Sequence, residues 1–164
     1  MPIEKKTKPV MMTVDDEPEV LSAVERDLRQ HFRADYRVMK VGSGGEALET
    51  TRQLKKRGSM IALFLVDQRM PGMTGVELLE KAIELFPDSK RALLTAYADT
   101  EAAIKAINEV RLDHYLMKPW QPPEQNLYPA LNDLLAAWEA CTLPPTGAVR
   151  VVGYRSSPVA RRST

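Results

Sequence analysis

The fold class this sequence predicts is α/β: a doubly wound sheet of five parallel strands with helices on both faces. Three observations carry it. Short apolar runs without polar alternation recur along the chain, as suits strands buried on both faces. Each is followed by a stretch with apolar residues at helical spacing. The two patterns alternate five times, which is how a parallel sheet wraps itself in crossover helices.

Met1 to Pro9 reads as a polar lead-in. Val10 to Val14 is the first strand and runs straight into Asp15, Asp16 and Glu17. Pro18 suits a first helical turn. Val20, Val24 and Leu28, flanked by Leu21 and Phe32, form that helix's apolar face. Tyr36 to Val41 is the second strand. Ser43 then acts as N-cap with Glu46 as its capping-box partner, and the helix runs through Ala47, Leu48 and Leu54 to stop at Gly58. Ile61 to Val66, the third strand, ends abruptly in Asp67, before the turn formers Pro71, Gly72 and Gly75. Thr74 and Glu77 repeat the cap signature. Val76, Leu79, Ile83 and Phe86 form the next stripe, and Pro87 ends it.

Arg91 to Leu94 is the fourth strand, closing on Thr95. A helix follows over Asp99 to Val110, with Ala103, Ile104 and Ile107 expected inward. His114 to Met117 is the fifth strand, closing on Lys118-Pro119. Pro122 and Pro123 precede a last helix bearing Leu127, Leu131, Leu134 and Trp138; Pro129 in its first turns predicts a delayed start or a kink. One domain is thus expected over residues 10–140. Residues 141–164 read as a linker and tail, or the start of a following domain. Leu143-Pro144-Pro145-Thr146-Gly147 is the break, and Val149 to Tyr154 a further strand candidate.

The totals agree with one soluble domain plus a tail: 164 residues, 44% hydrophobic and 27% charged. A formal net charge of +1 gives no strong pull towards nucleic acid, so no nucleic-acid partner is expected. The single cysteine, Cys141, excludes an internal disulfide and suits a reducing cytoplasm. No secretory pattern opens the chain, and no apolar run approaches the ~20 residues of a membrane span. A cytoplasmic protein with no membrane contact is expected.

Asp15 and Asp16, Asp67, Thr95 and Lys118 follow the first, third, fourth and fifth strands, so all emerge at one edge of the sheet. In a flavodoxin-like order, 2-1-3-4-5, the first and third strands flank the switch point where such sheets place their chemistry. Three carboxylates brought together repel by about 1 kcal/mol per pair even in water. They call for a cation, and hard oxygen donors without His or Cys point to Mg²⁺. A carboxylate beside such an ion is a usable nucleophile towards phosphorus. Phosphoryl transfer needs its three equatorial oxygens neutralised. Mg²⁺, the Lys118 ammonium and the Thr95 hydroxyl suit those three tasks.

Val-Asp-Asp-Glu-Pro (14–18), Val-Asp-Gln-Arg-Met-Pro-Gly-Met-Thr-Gly (66–75), Leu-Thr-Ala-Tyr (94–97) and Tyr-Leu-Met-Lys-Pro-Trp (115–120) resemble, in order, the motifs of bacterial two-component response regulator receiver domains, which are CheY-like. The resemblance covers about Val10 to Trp138. It implies that Asp67 is the phosphoacceptor and Asp16 a direct Mg²⁺ ligand, with Asp15 arranging the ion through water and Arg69 offering its backbone carbonyl. Thr95 and Tyr115 would be the switch pair, and Lys118 would pair with the phosphoryl group. The partner implied is a sensor histidine kinase. Such a domain catalyses its own modification, but its task is to switch the surface of the last two helices and fifth strand, through which a homodimer would also form. Asn126 to Trp138 and Val149 to Pro158 further resemble the join in fused response regulator/thioredoxin reductase proteins, implying a downstream redox or other effector domain.

Each residue also has a plainer reading. Asp15 or Asp16 alone is a helix-capping acid, Thr95 alone a strand-end cap, Lys118 alone a surface lysine. Tyr115 is either a ring that moves inward with Thr95 or a permanently packed aromatic. Arg69 and Tyr97 either tune water access to the acyl phosphate or face solvent. His31 and His114 have no metal-site spacing, and Trp120 and Trp138 read as packing residues. Among whole-chain rivals, a dehalogenase-like phosphatase wants an acid two residues after its nucleophile, where this chain has Arg69. A flavodoxin wants a phosphate-cradling loop where this chain has Asp15-Asp16-Glu17. A receiver-like scaffold that works without phosphorylation remains the alternative.

Overall fold

The computed structural model describes residues 7–96 and 100–142, apart from the side chains of residues 100, 102, 103, 106 and 107. Val149 to Tyr154, the linker before it and Tyr97 lie outside the described residues. Five parallel strands alternate with helices: β1 Val10–Val14, α1 Pro18–Phe32, β2 Arg37–Val41, α2 Gly44–Lys56, β3 Ile61–Val66, α3 Gly75–Leu85, β4 Lys90–Thr95, α4 Thr100–Glu109, β5 His114–Met117, α5 Pro123–Asn126 and α6 Tyr128–Thr142. The sheet order is β2-β1-β3-β4-β5, the doubly wound arrangement expected. β1 and β3 are central and pair in parallel, so the segments after them leave the sheet side by side.

Every residue of β1 and β3 is buried, which explains why neither shows polar alternation. Alternate side chains feed two cores. Val10, Met12, Val14, Phe64, Val66 and Leu93 pack beneath α2 and α3. Met11, Leu63, Leu65, Leu94 and Leu116 pack beneath α1 and α6, with Leu131, Leu135 and Trp138. Ser43 Oγ accepts from the Glu46 N–H at 3.1 Å. At α3 the capping box is complete, with Thr74 and Glu77 bonding reciprocally. Gly58, with φ +77°, turns the chain just after α2.

Four expectations need correction. β2 starts at Arg37, because the Tyr36 N–H closes a turn onto Phe32 O and its hydroxyl donates to Glu139 on α6. β4 starts at Lys90 and includes Thr95. Ile104, expected inward on α4, is 57% exposed. The last helix is in fact two: Pro123–Asn126, a break at Leu127, then Tyr128–Thr142. Pro129 falls in the first turn of the longer piece, where its missing N–H costs nothing. That delayed start also turns Leu135 into the core while Leu134 is only partly buried.

Candidate functional site

The site forms where β1, β3, β4 and β5 end. β1 delivers Asp15, whose side chain is 96% buried and whose Oδ1 accepts from the Glu17 N–H at 2.9 Å. That bond folds the loop back and turns Asp16 outward, where it is exposed. β3 delivers Asp67, 6% exposed, with its N–H bonded to Val14 O at 2.9 Å. The chain leaving Asp67 is held by Gln68: its carbonyl accepts from Gly75 N–H and its side-chain Oε1 from Val76 N–H. Gly75, the first residue of α3, has a packing reason. A Cβ there would sit 2.5 Å from Asp67 O, so only glycine lets α3 start directly behind the acid.

β4 ends in Thr95, fully buried. β5 is followed at once by Lys118, whose N–H donates to Thr95 O at 2.9 Å, and a cis Lys118–Pro119 bond comes next. The Lys118 ammonium bridges two acids, donating to Asp15 Oδ2 at 2.9 Å and Asp67 Oδ1 at 3.2 Å. Asp16, Glu17, Asp67, Arg69, Thr95, Ala96 and Lys118 line a cleft of about 270 Å³ above them.

Burial pushes the Asp67 carboxyl up to about 6; the nearby Lys118 charge lowers it, and the Asp15 and Asp16 charges raise it further. Burial works against the Lys118 charge, but the hydrogen bonds and charges of Asp15 and Asp67 outweigh it and hold the ammonium above its ordinary pKa. Carboxylate oxygens of Asp15, Asp16 and Asp67 all lie within 4.8 Å of one another. One ammonium against three carboxylates leaves an excess of negative charge in an all-oxygen donor set. That donor set fits a hard divalent ion such as Mg²⁺.

Asp15, Asp16, Asp67 and Lys118 are thus brought together, with Thr95 and Arg69 on the same cleft. Tyr115 lies further down β5, opposite Leu93. It packs partly against the core under α2 and α3, and its hydroxyl is buried without a hydrogen-bond partner among the described residues. Asp27 escaped the sequence reasoning. It lies within the apolar stripe of α1, three residues after Val24, and that misfit is the signal that could have found it.

The family model of the response regulator receiver domain matches residues 11–128. The chain belongs to this family. The receiver domain is 38% identical over 112 residues to the hydrogenase transcriptional regulatory protein HoxA of Cupriavidus necator, a match covering 68% of this chain and 21% of that protein. The corresponding HoxA of Bradyrhizobium diazoefficiens is 34% identical over 114 residues, covering 70% of this chain and 22% of the relative. The chain therefore spans about a fifth of the length of these curated relatives. Among solved structures it resembles a CheY-like response regulator receiver domain protein from Methanospirillum hungatei, with a TM-score of 0.69, 29% identity, and coverage of 82% of this chain and 98% of the other. It also resembles the Thermotoga maritima response regulator TrrA, solved in complex with Mg(2+)-BeF, with a TM-score of 0.61, 25% identity, and coverage of 77% and 98%. Among the described residues no helix is long and apolar enough to cross a membrane.

Proposed function

We propose that this receiver domain takes a phosphoryl group onto Asp67 from the phosphohistidine of a sensor histidine kinase, or more slowly from a small acyl phosphate. The supporting observation is the Lys118 ammonium shared between Asp15 and Asp67 on the floor of an acidic cleft. An Asp67 oxygen attacks phosphorus in line; the new O–P bond forms as the P–N bond breaks, and the histidine leaves with that electron pair. Lys118 gives up a bond to Asp67 and gains one to a phosphoryl oxygen. Thr95 offers its hydroxyl to another. Asp16 and Asp67 would hold Mg²⁺ directly, Asp15 through water and Arg69 through its carbonyl. Mg²⁺ supplies charge neutralisation for the phosphoryl oxygens.

The product carries about −1.5 to −2 of added charge at neutral pH. It draws Thr95 and Lys118 inward, and Tyr115 follows into the space Thr95 vacates. The surface shared by α4, β5 and α6 changes as α4 and β5 move against a fixed α6, which gives a partner or a second copy a new face. Exposed Ile104 and Met117 supply apolar contact on α4 and β5. A downstream effector reads this change. Incubation with acetyl phosphate and Mg²⁺ followed by intact mass measurement tests the reading. One added phosphoryl group is expected, absent with Asp67→Asn and suppressed by chelator. A chain that stays unmodified, or an Asp67→Asn variant modified equally, overturns it.

A further inference from the structure

Asp27 is an acid buried in the core between α1 and α6, only 4% exposed. Burying a carboxylate is costly unless strong donors meet it. Its Oδ2 accepts from the Trp120 indole N–H at 2.7 Å. Its Oδ1 meets Arg26 Nε at 3.4 Å, but that arginine side chain is 67% exposed and the contact is solvent-screened. The Asp27 backbone carbonyl accepts from the Tyr128 hydroxyl at 2.7 Å. One turn later on the same helix, His31 stacks on the Tyr128 ring with centroids 4.1 Å apart. An apolar residue at position 27 would have continued the stripe of α1 without this desolvation cost. The acid therefore asks for an explanation beyond packing.

Trp120 suggests one, since it stands two residues after Lys118 with Pro119 between. The loop carrying the ammonium is pinned at one end by the Lys118 N–H on Thr95 O. At the other end it is pinned by the indole on Asp27. The helix that bears Asp27 begins at Pro18, directly after the loop holding Asp15 and Asp16. One rigid element thus fixes both the acids and the backbone that carries their cation.

We infer that the buried Asp27–Trp120 hydrogen bond positions Lys118, making Asp27 and Trp120 positioning residues for phosphoryl transfer. This rests on the function proposed above. A displacement of about 1 Å at a reacting group costs up to a hundredfold in rate. Breaking the clasp should therefore slow modification of Asp67 by about tenfold or more.

The experiment follows the rate of acetyl phosphate modification by intact mass, with a thermal melt on each variant to confirm folding. Asp27→Leu and Trp120→Phe should both slow the reaction by about tenfold or more. Asp27→Asn keeps an acceptor for the indole and should retain most of the rate. A purely structural role is separated by repeating the series in a Lys118→Ala background. If the clasp acts through Lys118, Asp27→Leu and Trp120→Phe cost nothing further there. Losses that multiply with that of Lys118→Ala overturn the inference. So does a wild-type chain modified at Asp67 whose folded Trp120→Phe variant keeps the full rate. A wild-type chain that is never modified overturns the functional reading, and this inference with it.

Discussion

The two faces of the sheet differ in how firmly they are tied. Under α1 and α6 three long-range side-chain bonds tie the core: Trp120 on Asp27, Tyr128 on the Asp27 carbonyl and Tyr36 on Glu139. The one buried hydroxyl without a partner among the described residues there, Thr142, lies at the very end of α6. Aromatic rings interlock around the three bonds, with Phe32 edge-on to both Tyr36 and Tyr128. Near α4 and β5 the picture reverses. Among the described residues the Tyr115 hydroxyl is buried without a partner, Ile104 is 57% exposed and Met117 45%. A buried hydroxyl left unbonded costs roughly 1–3 kcal/mol, so that side has something to gain by rearranging. The difference teaches where a charge placed on Asp67 is free to act: the α1–α6 face serves as the anvil and the α4–β5 face as the moving part.

The largest effect should come from cutting into the anchored face. Trp138 is 2% exposed, and Trp138→Ala should cost about 3–5 kcal/mol by denaturant titration. A loss below ~1 kcal/mol would mean that face is not the stable half.

A smaller effect is expected at the junction of the two faces, measured with chelator present. Asp67 has a native pKa of about 6 against an ordinary 3.8, so the native state holds this proton more tightly than the unfolded chain. Stability contributed by Asp67 is then fully present below pH ~4 and is lost as pH rises through about 6. Asp67→Asn should remove that loss and stabilise the chain at pH 7 by on the order of 2 kcal/mol. Added Mg²⁺ should raise the melting temperature of the wild type and leave Asp67→Asn nearly unmoved. Equal stability of the two proteins across pH 4 to 7, roughly the window set by that shift, would contradict this.

The smallest effect belongs to the exposed apolar residues. Ile104→Ser and Met117→Ser should each change stability by less than about 0.5 kcal/mol. Both should weaken any self-association that appears on phosphorylation, read by light scattering. A loss of several kcal/mol would show that these side chains are core rather than interface.

Much of this was legible in the chain because strands buried on both faces leave an unmistakable run. β1, β3 and β5 have the bounds expected of them. Asp67 and Lys118 were legible for the same reason: each is the first polar residue after such a run, and parallel strands share an edge. Helix faces were harder. Ile104 sits in an apolar pattern, and spacing alone cannot say which side of α4 meets the sheet. Tyr36 reads as strand by its ring, but its N–H is spent on the turn after α1. The Asp27–Trp120 bond joins residues 93 positions apart. Nothing local encodes that partnership, and only the misplaced acid in the α1 stripe hints at it.

Amide hydrogen exchange, followed by mass spectrometry with and without acetyl phosphate and Mg²⁺, tests the division between fixed and moving faces most directly. Exchange should change in peptides from Thr95 through Met117, while those of α1 and α6 stay as they were. Equal changes on both faces, or changes confined to α1 and α6, would contradict it.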